Sequence, residues 1–204
     1  MTQTQTDSIT LALTGASGAQ YGLRLLEVLL GSGVDVHLLV SNAAAEVIRL
    51  ETPYTMPGDL PARKSWLLEN FGGDASQLHL YERDDWTSRV ASGSNAPGSM
   101  VVCPCSSGTL SAIATGASNN LIERAADVVL KERKRLIIVH REMPLSVIHL
   151  THLHTLATMG VTVMPASPGF YHRPQTIEDM VDFVVARVLD HLGLDNKLVQ
   201  RWGD

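Results

Sequence analysis

Only two cysteines occur among the 204 residues, Cys103 and Cys105, with Pro104 between them. That spacing excludes a disulfide framework and a Cys-x-x-Cys zinc pair; two buried thiols at a strand end, in a reducing cytoplasm, is the plain reading. Long hydrophobic runs are missing as well. Ile9–Leu13 and Leu136–Val139 are strand-sized, well short of the roughly 20 apolar residues that a membrane-spanning helix needs. No basic excess exists either: 16 Lys and Arg against 21 Asp and Glu give a formal charge of −5, which argues against a nucleic-acid partner. Met1–Ser8 is polar, without a basic segment leading into an apolar one, so no signal peptide is expected.

What is present reads as one globular α/β domain over 1–204, with a polar tail at 1–7 and a C-terminal arm from about 193. Hydrophobic residues make up 45% and charged residues 18%, enough apolar material to bury one sizeable core. Short β-branched runs at 9–14, 34–40, 100–103, 136–140 and 161–164 read as strands. Helical periodicity falls at 20–30, 43–50, 110–114, 122–131, 147–158 and 177–192, while 52–61 and 92–98, rich in Pro, Gly and Ser, read as loops. This alternation predicts a three-layer αβα sandwich with a Rossmann-like parallel sheet and right-handed crossovers. In such folds ligands gather beyond the carboxyl ends of the strands, so the residues following each strand are the ones to read for chemistry.

After the first strand stands Gly15-Ala16-Ser17-Gly18-Ala19-Gln20-Tyr21-Gly22. Glycines allow a tight turn and close ligand approach, and the next helix directs free amides at an anion. The spacing is not the dinucleotide G-x-G-x-x-G, and the second strand ends in Ser41-Asn42 rather than an acid for an adenosine ribose; both favour a mononucleotide. Ser17 also serves as a plain helix N-cap in the simpler reading. Ser106, Ser107, Gly108 and Thr109 follow the Cys103 strand, as a hydroxyl-rich anion cradle or a capped helix start. Arg141 and Glu142 follow the next strand, as a phosphate grip and proton-handling group or as a surface pair. Arg124, Asp127 and Lys131 share a helical face, as a cationic cluster or a salt-bridged stripe. His149, His152 and His154 do not form a metal site, because His154 points away from the other two; no metal is expected.

Taken together, GASGAQYG at 15–22, CPCSSGTL at 103–110, RAADVVLKER at 124–133, REMPLS at 141–146 and PGFYHRP at 168–174 resemble the UbiX/Pad1 flavin prenyltransferases of the homo-oligomeric flavin-containing cysteine decarboxylase fold. The resemblance implies transfer of a dimethylallyl group from dimethylallyl phosphate to N5 and C6 of reduced FMN, with release of phosphate. It also implies a homo-oligomer, a dodecamer in the family, delivery of prenylated FMN to a UbiD-type decarboxylase, and a metal-independent reaction. On this analogy Gly15, Ala16, Ser17, Ser41, Ser106, Ser107, Gly108, Thr109 and Arg141 contact FMN. Arg124, Lys131, Glu142, Tyr171, Arg187 and Trp202 surround the prenyl phosphate. Ser17 and Glu51 handle protons near N5, and Lys131 and Glu142 join them as catalytic groups; the C6 proton passes to Glu51, Glu142 or the retained phosphate. The alternative is an FMN-dependent oxidative decarboxylase on the same fold. Its Pro-Ala-Ser-Ala-Asn-Thr and Pro-x-Met-Asn signatures lack their asparagines here, where the chain reads Pro-Cys-Ser-Ser-Gly-Thr and Arg-Glu-Met-Pro.

Overall fold

The apolar runs become a six-stranded parallel sheet in the computed structural model, which describes residues 8–201 and 203. The strands are β1 (Ser8–Leu13), β2 (Asp35–Val40), β3 (Leu78–Leu80), β4 (Ser99–Cys105), β5 (Arg135–His140) and β6 (Thr162–Pro165), arranged β3-β2-β1-β4-β5-β6. Helices are α1 (Ala19–Gly31), α2 (Asn42–Glu51), α3 (Leu60–Phe71), α4 (Ser107–Ala114), α5 (Leu121–Lys131), α6 (Val147–Thr158) and α7 (Ile177–Leu192). The chain builds outward from β1 to β3, then restarts beside β1 with β4 and builds the other way. Right-handed crossovers therefore change face at the β1/β4 junction, the topological switch point of this architecture.

Strand alternation divides the core in two. Ile9, Leu11 and Leu13 of β1 pack with α1, α3 and α7 on one face. Ala12, Met100, Val102 and Ile138 pack with α4, α5 and Leu156 of α6 on the other. Each large side chain buried this way contributes roughly 1.5–3 kcal/mol. Cys103 and Cys105 are free, fully buried thiols within these layers, and burial pushes both thiols far above their ordinary range.

Two elements escaped the sequence reading. The helix α3 begins inside the segment read as a loop at 52–61, and β3 has three residues, too short to show a period. The consequence is local but functional, since β3 carries Tyr81, Glu82 and Arg83 to the carboxyl edge of the sheet.

A second detail fixes how α1 meets the sheet. A Cβ added at Gly22 would lie 2.3 Å from the Cys103 carbonyl oxygen and 2.4 Å from Leu13 Cδ2, so only glycine lets the helix rest on β4. Gly22→Ala is expected to cost about 1–3 kcal/mol of stability through overpacking. A urea unfolding curve reads this as a lower midpoint, and an unchanged midpoint would mean the helix can lift from β4 freely.

Candidate active site at the switch between β1 and β4

Thr14, buried at the end of β1, ties the first two loops together. Its hydroxyl donates to the Pro104 carbonyl at 2.7 Å and accepts from the Ser106 amide at 2.8 Å. The turns after β1 and β4 are thereby held side by side, and with Ser41 after β2 they bring the starts of α1, α2 and α4 to one edge.

The starts of these helices are not equivalent. Ser41 Oγ accepts from the Ala44 amide at 3.0 Å and caps α2. Ser106 Oγ accepts from the Thr109 amide and donates to Thr109 Oγ1, capping α4. The capped-helix reading of the Ser106 turn thus holds, and Ser41 proves to be a cap as well, while Ser41 and Thr109 still line the cleft. By contrast α1 begins at Gly18, whose φ of 102° favours glycine, and that residue offers no side-chain cap. Ser17 is therefore not the N-cap. Glu51, at the end of α2, fills the gap: its Oε2 accepts from the Gly18 and Ala19 amides at 2.8 and 3.0 Å.

Glu51 sits in an environment that keeps it charged. Burial raises its pKa, but hydrogen bonds from the Ser17 side chain and from the Gly18 and Ala19 amides, with the Arg141 charge, bring the net value below the ordinary carboxylate range. Arg141 also faces Tyr21, whose phenol is pushed up mainly by burial. Ser17, Glu51, Arg141 and Tyr21 thus form one electrostatic neighbourhood at the N-terminus of α1. A second group lies at the mouth of α4. Ser107 Oγ donates to Glu142 Oε2 at 2.8 Å and lies 3.2 Å from His140 Nε2. That hydrogen bond, with one from the Met143 amide, holds the Glu142 carboxyl below its usual range. Both glutamates are carboxylates at neutral pH, suited to accept protons rather than donate them.

Between the starts of α2, α4 and α5 opens a cavity of about 220 Å³, lined by Ser41, Asn42, Tyr81, Arg83, Thr109 and Asn120 among others. Hydroxyls, helix amides and a guanidinium in one cleft suit the phosphate end of a mononucleotide. Tyr81, Arg83 and Asn120 were not expected from the sequence. The signal for Arg83 was its place just after a strand, and that strand was too short to see.

The cationic residues read as one cluster are divided within a single protomer. Arg124 and Lys131 stand on α5, on the face of the second core, where Arg124 bonds Asp127 at 2.8 Å and the Ala91 carbonyl at 3.1 Å. Lys131 pairs with Glu132. Arg187 stands on α7, across the sheet, bonded to Asp190 at 2.7 Å. It shares with Tyr171 a separate cleft of about 580 Å³ that also includes Phe183, Asn196 and Arg201. The crossover carrying α5 lies on one face of the sheet, whereas the chain after β6 returns α7 to the other face beside α1, which the one-dimensional motifs cannot reveal. Trp202 lies outside the described residues.

Comparison with known proteins gives a consistent picture. The family model described as Flavoprotein matches residues 1–189. A flavin prenyltransferase UbiX from Pseudomonas aeruginosa is 54% identical over 198 residues, covering 97% of this chain and 95% of its own length. One from Methanocaldococcus jannaschii is 46% identical, covering 96% and 98%. Among solved structures, AnUbiX (PadA1) in complex with FMN and dimethylallyl pyrophosphate superposes with a TM-score of 0.85 at 38% identity, covering 97% of each chain. A dodecameric FMN-dependent UbiX-like decarboxylase from Escherichia coli gives 0.85 at 39% identity, covering 97% of this chain and all of that one. The peptidyl-cysteine decarboxylase EpiD, at 19% identity and a TM-score of 0.59, shares the fold alone.

Proposed function

Because this chain belongs to the flavin prenyltransferases of the Flavoprotein family, we propose that it joins the dimethylallyl group of dimethylallyl phosphate to reduced FMN at N5 and C6 and releases inorganic phosphate. The observation that carries this reading is the convergence of the α1, α2 and α4 starts with ionised Glu51 and Arg141 at the β1/β4 switch. Reduced FMN, when bound, supplies the nucleophilic atoms. The hydroxyl groups of Ser41, Ser106 and Thr109, the amides of Ser107 and Gly108, and Arg83 suit its ribityl phosphate. Gly15, Ala16 and Ser17 border the ring beside Arg141.

Cleavage of the allylic C–O bond sends its electron pair to phosphate, so the protein must stabilise a departing anion and a delocalised cation. Arg187, Arg124 and Lys131 would take the anion, with Tyr171 facing the cation, a contact worth up to about 2 kcal/mol when desolvated. Those positions come together only if one protomer supplies α7 and another supplies α5. The surface supports such an assembly. Met143, Val147, Ile148 and Leu150, at and before α6, are 82%, 79%, 66% and 51% exposed, an apolar patch of the kind that marks a protein contact. On this reading the protein is a homo-oligomer whose protomers share active sites. Glu51 or Glu142 would accept the proton lost on ring closure, and a UbiD-type decarboxylase would receive the product.

Anaerobic mixing of the purified protein with reduced FMN and dimethylallyl phosphate should release one phosphate per flavin and change the flavin absorption spectrum. An unaltered flavin after such mixing would overturn the assignment. No helix of the described residues is long and apolar enough to cross a membrane.

A further inference from the structure

Away from the β1/β4 switch, on the second face of the sheet, lies a polar cluster that the transfer reaction does not use. Asp35 and His37 lie two residues apart on β2 and so point the same way, and the parallel register places His79 of β3 directly beside His37. This corner of the sheet is covered by the short 3-10 turn Arg89–Ala91 rather than by a long helix. Among the described residues, one ligand atom from each of Asp35, His37 and His79 lies within 4.8 Å of the others. His79 Nε2 is 2.6 Å from Asp35 Oδ1, and His37 Nε2 is 3.3 Å from Asp35 Oδ2. The two imidazoles stack at 4.7 Å with planes 16° apart, both presenting Nε2 to one carboxylate.

We propose that Asp35, His37 and His79 form a three-ligand zinc-type site whose ion fastens the edge strand β3 to β2. Tautomer chemistry supplies the argument. His37 Nε2 faces Asp35 Oδ2 and, at 3.4 Å, Arg89 Nη1. A proton on Nε2 lets His37 donate to Asp35 Oδ2 alongside Arg89 Nη1; moving that proton to Nδ1, where the Tyr81 oxygen can accept it, leaves the Nε2 lone pair facing the carboxylate. A divalent ion would take that lone pair and offset the carboxylate charge, satisfying both groups at once. Tyr81 would complete the arrangement, since its hydroxyl lies 2.5 Å from His37 Nδ1 and can orient the ring as an outer-shell partner. Two imidazoles and a carboxylate suit zinc. A tetrahedral zinc ion holds its ligand atoms about 3.3 Å apart; His37 Nε2 stands 3.3 Å from Asp35 Oδ2, while His79 Nε2, 2.6 Å from the other carboxylate oxygen, has to draw back to share the ion. His79 is 39% exposed, which leaves a path for entry and for a water as fourth ligand. Arg89, 37% exposed in its side chain, occupies the outer side through contacts at 3.5 Å to Asp35 and 2.7 Å to the Asn95 carbonyl. It would turn outward when the ion binds.

The full chain, stripped with chelator, is titrated with zinc sulfate by calorimetry in a non-coordinating buffer, and with cobalt followed by its visible absorption. One equivalent per chain is expected, with the intense visible bands of four-coordinate cobalt and a higher thermal midpoint in zinc. His79→Ala, a partly exposed change that spares the buried His37, should weaken binding about tenfold or more, and Tyr81→Phe about tenfold. Arg89→Ala should tighten it by removing the competing cation, whereas His191→Ala, on exposed α7 surface, should leave it unchanged. Absence of saturable uptake by the wild type, or affinity that His79→Ala leaves intact, overturns the proposal.

Discussion

Replacing Arg187 by alanine is expected to lower kcat/KM for dimethylallyl phosphate by roughly 10²–10³-fold, the usual effect of removing one donor aimed at developing charge. The side chain is 53% exposed and pairs with Asp190 on the same helix, so its loss leaves the core of α7 untouched. The thermal midpoint should therefore stay close to that of the wild type. A stability loss large enough to explain the activity loss would assign Arg187 a structural role instead. The informative extension is a mixture. Arg124→Ala should be impaired to a similar degree, although it lies on the opposite face of the sheet. Should active sites combine α7 of one protomer with α5 of another, co-expressing the two variants would restore activity in about one site in four of a randomly mixed closed assembly. Activity that remains at the level of the single variants would show that the site is not shared.

The second large effect concerns Glu51. Glu51→Gln keeps an acceptor near the Gly18 and Ala19 amides but removes the charge and the ability to take a proton, so kcat should fall by about 10²–10⁴-fold. The pH profile separates that role from mere capping. The folded-state pKa of Glu51 is depressed, so its ionised form persists above the ordinary carboxylate value and is lost only as pH falls through the lowered one. The acid limb of kcat/KM due to Glu51 should consequently lie below the usual carboxylate range and disappear in Glu51→Gln. An acid limb that survives unchanged in the variant would move the proton-accepting role to Glu142 or to phosphate.

Much of the architecture was readable from local pattern. The windows at 147–158 and 177–192 match α6 and α7 residue for residue, because their helical lengths and the capping residues Ser146 and Thr176 lie in contiguous sequence. The turn after β1 and the hydroxyl-rich start of α4 were likewise visible as residue types. The role of Ser17 was misread in its simpler form, since no local rule reveals that Glu51, 33 positions later, would occupy the amides of Gly18. Arg83 went unseen because three residues of strand leave no alternation to detect.

Periodicity and spacing by themselves pointed to the αβα class and to a mononucleotide at the first turn, and the resemblance of five short motifs pointed to the family. Those properties depend on short-range order: periodicity, glycine placement and residue type. The tertiary structure alone decided which groups share a face. The return of α7 onto α1 after β6 separates Arg187 from Arg124 and Lys131 on α5, while the register of β2 against β3 gathers Asp35, His37 and His79. The docking of a terminal helix and the register of two strands arise from packing between distant segments, and no local pattern encodes them.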